Sequence, residues 1–156
     1  VQVNSGLLAK NCIAEFKGVH FVVSDGDIVL FDGQSVKSIA AKKVRNKIFG
    51  SMDATNFRNG YVTRYDRQDE MWFCYPENGR VYPNKAAIWN WKDDTWAFRD
   101  LAEFRHLATG QIPGQSFTYD SPEAQVTYDS PEAQVPYITG ISVTDTLVMA
   151  TPGILG

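Results

Sequence analysis

The sequence predicts a mainly β fold of antiparallel meanders with one short inserted helix. Aromatic residues make up 13% of the 156 residues, and aromatic side chains favour strands. Short apolar runs are separated by turn dipeptides such as Asp25-Gly26, a pattern typical of hairpins. Only residues 40–52 carry apolar side chains at helical spacing. The apolar content of 44% is enough for a packed core.

The first predicted element is a hairpin over residues 19–31. Pairing across its Asp-Gly turn sets Val23 opposite Ile28 and Phe21 opposite Leu30. The other face is also apolar, so we expect both faces to be covered; its residues are Val22, Val29 and Phe31. A third strand, SVKSIA, follows the next Asp-Gly turn. Residues 19–39 therefore look like part of one β unit.

The predicted helix covers residues 40–50 and has about three turns. Its apolar positions include Val44 and Ile48, and Gly50 suits a helix C-cap. Four basic residues fall mainly outside the apolar stripe: Lys42, Lys43, Arg45 and Lys47. They are candidates for contact with DNA phosphates or an acidic partner. The alternative, which we favour, is an ordinary solvated helix face.

Residues 61–101 are predicted to form four antiparallel strands, the size of one β-propeller blade. In the last hairpin, we expect Trp91 to pair with Trp96 and Trp89 with Phe98. The three tryptophans are candidates for aromatic contact with a sugar ring, although a buried sheet core is the favoured alternative. Two blades cannot close a propeller, so we expect part of an irregular propeller within a longer chain.

Three segments are predicted along the chain. Residues 1–110 form the propeller-like part, and residues 137–156 begin a further β segment. Between them, residues 111–136 hold a Gly/Pro linker and the string TYDSPEAQV written twice. The Ser-Pro pairs disfavour a central strand, so each copy is predicted to be an extended arm broken by a turn.

The sequence gives no indication of an enzyme, a cofactor or a metal site. It contains no nucleophile, zinc-protease, P-loop or dinucleotide motif. His20 falls in an apolar strand, where a core histidine is the favoured interpretation, and Cys12 and Cys74 fit no metal or disulfide pattern. The paired carboxylates all fall at turns: Asp25/Asp27, Asp69/Glu70 and Asp93/Asp94. No run of 18 apolar residues predicts a membrane span.

Several uncommon sequence motifs occur in a distinctive order. They are GVHFVVSDGDIVLFDGQSVKSIAAKKVRNKIF, EMWFCYPENG and NKAAIWNWKDDTWAFRDL. In this order the chain resembles the tail nozzle, or tail tubular, proteins of short-tailed bacteriophages over roughly residues 11–135. The resemblance implies a segment of an irregular β-propeller and no catalytic residues.

The resemblance also implies partners and a location. Subunits of that family form a ring, usually sixfold, below the portal and adaptor, and the ring surrounds the channel for packaged DNA. We therefore expect a structural protein of the virion tail, made in the host bacterial cytoplasm, that contacts fibre or spike proteins. The net charge of −3 argues against a surface that binds nucleic acid throughout. The alternative function is a carbohydrate-binding β module that uses exposed Trp and Tyr.

Overall fold

The computed structural model describes residues 6–112 and 144–150, and the side chains of residues 6–109. Ten strands and one helix lie in these ranges. The first sheet holds β1 (Ile13–Phe16), β2 (Val19–Ser24), β3 (Asp27–Phe31) and β4 (Val36–Ser38). The helix is α1 (Lys42–Ser51). The second sheet holds β5 (Tyr61–Tyr65), β6 (Glu70–Tyr75), β7 (Lys85–Asn90) and β8 (Thr95–Asp100). A two-stranded sheet pairs β9 (His106–Ile112) with β10 (Thr144–Ala150).

The predicted mainly β class, with antiparallel meanders and one helix, is confirmed. Both four-stranded sheets follow chain order, with every neighbouring pair antiparallel, and neither closes into a barrel. Residues 6–109 belong to one compact unit. Most of a second unit, residues 110–146, lies outside the described residues, and so do both copies of TYDSPEAQV.

The first sheet confirms the predicted hairpin and adds a strand before it. Val23 pairs with Ile28 and Phe21 with Leu30, as the turn spacing predicts. Strand β1, which the sequence reading missed, pairs with β2 through the Lys17-Gly18 turn. Both turn residues have positive φ, 49° and 78°, and this conformation matches the twist of a tight hairpin. The glycine at the second position of this turn is therefore the feature of the sequence that indicates a hairpin here.

One apolar core joins the two sheets and the helix. It takes Phe21 and Val23 from the first sheet, Phe73 and Trp89 from the second, and Ile48 from α1. The Phe21 and Trp89 rings stack with centroids 5.8 Å apart. The two sheets therefore pack face to face, and burial of their shared aromatic side chains is the main source of stability.

A second core covers the opposite face of the second sheet. Tyr61, Trp72 and Ile88 lie on that face and are buried. Their cover is the segment after β8, which contributes the buried side chains of Phe104 and Leu107. The second sheet is thus apolar and covered on both faces, which explains the unbroken apolar run MWFCY in β6.

Two sequence predictions were wrong in detail, the C-cap of α1 and the register of the last hairpin. Gly50 lies inside the last turn of α1, and Met52, in extended conformation, caps the helix. Trp89 pairs with Trp96 and Ala87 with Phe98, two residues from the predicted register. The cause is the turn: the Asn90 side-chain oxygen accepts the N–H groups of Lys92 and Asp93, so the loop begins at residue 91.

The residues after Phe104 also differ from the sequence prediction. Residues 111 and 112 of the predicted linker over residues 111–136 belong to strand β9. Within the predicted β segment over residues 137–156, the described residues form β10.

Asp32 gives the fold a testable dependence on pH. Its carboxylate accepts the backbone N–H and the hydroxyl of Ser35, both at 2.7 Å, and the N–H of Gln34 at 2.9 Å. These bonds lower the pKa of Asp32 to about 2. Because the folded pKa lies below the unfolded one, the stabilisation is present above about pH 4 and lost as the pH falls towards about 2.

We expect Asp32→Asn to unfold at lower urea than the parent at neutral pH. The difference between the two midpoints should shrink as the pH falls through that interval. Urea titrations at a series of pH values measure it. Parallel midpoint curves would show that the carboxylate contributes nothing.

Candidate interaction surfaces

The four basic residues of α1 do not form one continuous charged patch. Arg45 Nη1 lies 3.1 Å from Asp27 Oδ2 in an ion pair with β3. Lys47 Nζ lies 3.9 Å from the centre of the Phe98 ring on β8, in a cation–π contact. Lys42 and Lys43 are exposed and have no ion-pair partner within residues 6–109. Two of the four charges therefore attach the helix to the two sheets, and two face solvent.

The three candidate tryptophans are held by the core. Trp89 is 4% exposed, with its indole N–H donating to Asp94 Oδ1 at 2.9 Å. Trp91 and Trp96 are half-buried against the same core. Trp91 stacks on Phe16 with ring centroids 5.1 Å apart. A sugar ring needs an open aromatic face, and Trp89 offers none because it is buried in the sheet core.

One apolar sheet face carries exposed side chains. The sequence alone did not assign a function to this face. The face of the first sheet turned away from the core, here called the outer face, carries four of the five large exposed apolar side chains found within residues 6–109. They are Leu7 (42% exposed), Ile13 (41%), Phe31 (38%) and Val36 (40%).

The outer face has side chains from all four strands, and at its centre Val29 is buried, with 3% of its surface exposed. Ile13 pairs with Val22, and Val22 pairs with Val29, which places these three side chains in one row. Phe31 pairs with Val36 in the next row. Exposed apolar patches of this kind mark protein contact surfaces in soluble proteins. The sequence predicts that Val22, Val29 and Phe31 are covered. Val29 is buried and Val22 is half-buried, whereas Phe31 remains 38% exposed.

No protein-family model matches this chain. None of the curated proteins compared with it matches either. The surfaces must therefore be interpreted from their own residues.

The two cysteine side chains are buried, and burial shifts their pKa values. Cys12 and Cys74 are buried and unbridged. Burial raises the pKa of the Cys12 thiol to about 12, and burial also raises the pKa of Cys74, so neither is a ready thiolate. Within the described ranges, no three His, Cys, Asp or Glu side chains come together as metal ligands.

The histidines lie outside the deep core. His20 is half-buried on the outer face, 6.5 Å from the Phe31 ring, so the predicted core position is wrong. The reason is strand alternation, because Phe21 and not His20 points to the inter-sheet core. His106 is exposed and stacks on Tyr61 with ring centroids 5.5 Å apart. In the described part of the chain, no helix has the length and apolarity to cross a bilayer.

Proposed function

We propose that this chain is a structural component of a bacteriophage tail and acts without catalysis. In this proposal it forms part of the nozzle ring that lies below the portal and adaptor in the virion. The resemblance in sequence supports the proposal because the uncommon sequence motifs occur in the same order as in that family. The fold is compatible with that order, since a hairpin, an inserted helix and a four-stranded meander follow one another.

The observation that carries the proposal is the exposed apolar outer face. A protein that works by assembly needs a surface whose burial stabilises contacts between subunits. Within the chain, apolar sheet faces are already buried in two places. The two sheets pack against each other, and the opposite face of the second sheet is covered by Phe104 and Leu107. We propose that the outer face is covered in the same way by a second copy of this chain in the ring.

The stacking order also supports the propeller interpretation. Propeller blades are four-stranded antiparallel sheets packed face to face, with the first strand of each blade nearest the axis. Here the first strands β1 and β5 lie side by side: the Val62 N–H donates to the Asn11 carbonyl at 2.8 Å, and Arg64 Nη1 donates to the Glu15 carbonyl at 2.9 Å. We propose that the two sheets are successive blades.

The proposed contact with DNA rests on Lys42 and Lys43 alone, because Arg45 and Lys47 have partners within the chain. We expect the double variant Lys42→Gln/Lys43→Gln to reduce the slope of log affinity against log salt for duplex DNA by about 2. Fluorescence anisotropy at several salt concentrations measures this slope.

The matched control removes two exposed lysines elsewhere, Lys37→Gln/Lys92→Gln, and makes the same change in net charge. It should leave the slope unchanged. If both double variants reduce the slope equally, the helix has no particular role in DNA contact.

Location in the particle tests the function itself. An antibody raised against this chain, coupled to gold, should label purified phage particles at the tail below the head. Negative-stain micrographs would show the label, with particles of an unrelated phage as the control. Labelling of the head shell, or none on disrupted particles that contain all virion proteins, would refute the proposal.

A further inference from the structure

A groove forms where the starts of strands β1, β5 and β9 come together. Its described lining is Lys10, Asn11 and Ile13 at the start of β1, residues 61–63 of β5 and residues 106–109 of β9, and its volume is about 370 Å³. This volume lies within the range of small-molecule sites. The three strand starts are distant from one another in sequence. Two of them meet where Cys12 Sγ lies 3.5 Å from the Gly60 carbonyl oxygen, although 48 residues separate the two in sequence.

The groove presents hydrogen-bond donors that have no partner among the described side chains. Five polar side chains line it: Lys10, Asn11, Thr63, His106 and Thr109. Within residues 6–109, none of these side chains makes a hydrogen bond or an ion pair. An ammonium, an amide, two hydroxyls and an imidazole all carry N–H or O–H groups that can donate to an anion.

The charge of the groove has one sign. No Asp or Glu is among the described residues that line it, whereas Lys10 brings a positive charge. The carboxylates nearby along these strands, Glu15 and Asp66, are both paired with Arg64, at 3.5 Å and 2.9 Å. The single positive charge of Arg64 thus offsets one of these two negative charges.

One wall of the groove is held rigidly. The His106 ring lies nearly parallel to Tyr61, with an interplanar angle of 26°. Tyr61 is itself buried and packs edge-on against Phe104, with ring centroids 6.0 Å apart. A donor held by such packing loses little conformational entropy on binding, which favours recognition.

We propose that this groove binds a small anionic molecule through a carboxylate or a phosphate group. Lys10 supplies the charge, and Thr63 and His106 donate hydrogen bonds to the anionic oxygens. Hydrogen bonds between ionised partners are about twice as strong as neutral ones, so Lys10 should dominate the affinity. The proposal concerns a ligand site and is independent of the assembly role proposed above.

The test is an NMR titration of the labelled chain with inorganic phosphate and, separately, with succinate, at ionic strength held constant with sodium chloride. We expect saturable shifts at Thr63, His106 and Thr109, and the anion that saturates first identifies the preferred group. Lys10→Gln should weaken binding at least about fivefold. Lys92→Gln, which removes an exposed lysine from the β7–β8 turn, should not change it.

Two results would overturn the proposal. One is the absence of saturable shifts at these residues with either anion. The other is equal affinity in Lys10→Gln and Lys92→Gln, which would show that binding follows net charge alone. Amide spectra of both variants, which should match the parent away from the substituted residue, confirm that the fold is intact.

Discussion

Replacing Phe21 with alanine is expected to lower the free energy of unfolding by about 3–5 kcal/mol. Phe21 has no exposed surface and stacks on Trp89 of the opposite sheet. The substitution removes apolar contacts from both sheets at once and leaves a cavity that the rigid strands cannot close. Urea unfolding followed by tryptophan fluorescence measures the loss, since Trp89 reports on the same core.

Phe31→Ala is the matched control for this prediction. It makes the same change on the neighbouring strand, but Phe31 points to the exposed outer face. At protein concentrations where the chain is monomeric, we expect a loss of no more than about 1 kcal/mol. Equal losses in the two variants would contradict the assignment of Phe21 to the inter-sheet core.

Phe104→Ala is expected to have an effect of similar size, about 3–5 kcal/mol, on the other face of the second sheet. Phe104 is fully buried and packs edge-on against Tyr61, and its N–H donates to the Pro83 carbonyl at 3.1 Å. Without the ring, the apolar face that holds Trp72 loses the centre of its cover. Thermal and urea unfolding measure the stability.

Two further variants distinguish lost packing from failure to fold. Phe104→Leu retains most of the apolar volume and should lose about 1.5 kcal/mol or less. Leu101→Ala truncates a half-buried side chain of the same segment and should cost less than Phe104→Ala. If Phe104→Ala is as stable as Leu101→Ala, the segment after β8 does not cover the sheet as described.

Local pattern was sufficient to predict most of the strands and the register of the Asp25-Gly26 hairpin, but it missed β1. A two-residue turn fixes register by geometry, and the pairing of Val23 with Ile28 follows directly from Asp25-Gly26. The pairing around Trp89 was wrong because an Asn90 side chain, rather than the Lys-Asp-Asp run, begins the turn. Side-chain hydrogen bonds of this kind leave little trace in hydrophobic periodicity.

The candidate surfaces were less predictable, because each depends on contacts distant in sequence. The sequence places Arg45 among four similar charges, and only the fold brings Asp27 to it. The apolar outer face could be anticipated from Val22, Val29 and Phe31, but its exposure depends on what else packs there. The groove is less visible still, since its walls come from three separate strand starts.

The most direct test of an assembling structural protein is its oligomeric state by native mass spectrometry over a range of protein concentrations. We predict that the parent chain associates through the outer face and that Phe31→Ser/Val36→Ser remains a monomer. Circular dichroism of the variant should retain the parent β signal, because both side chains are exposed. A parent chain that stays monomeric throughout, or a double variant that associates equally, would contradict assembly through this face.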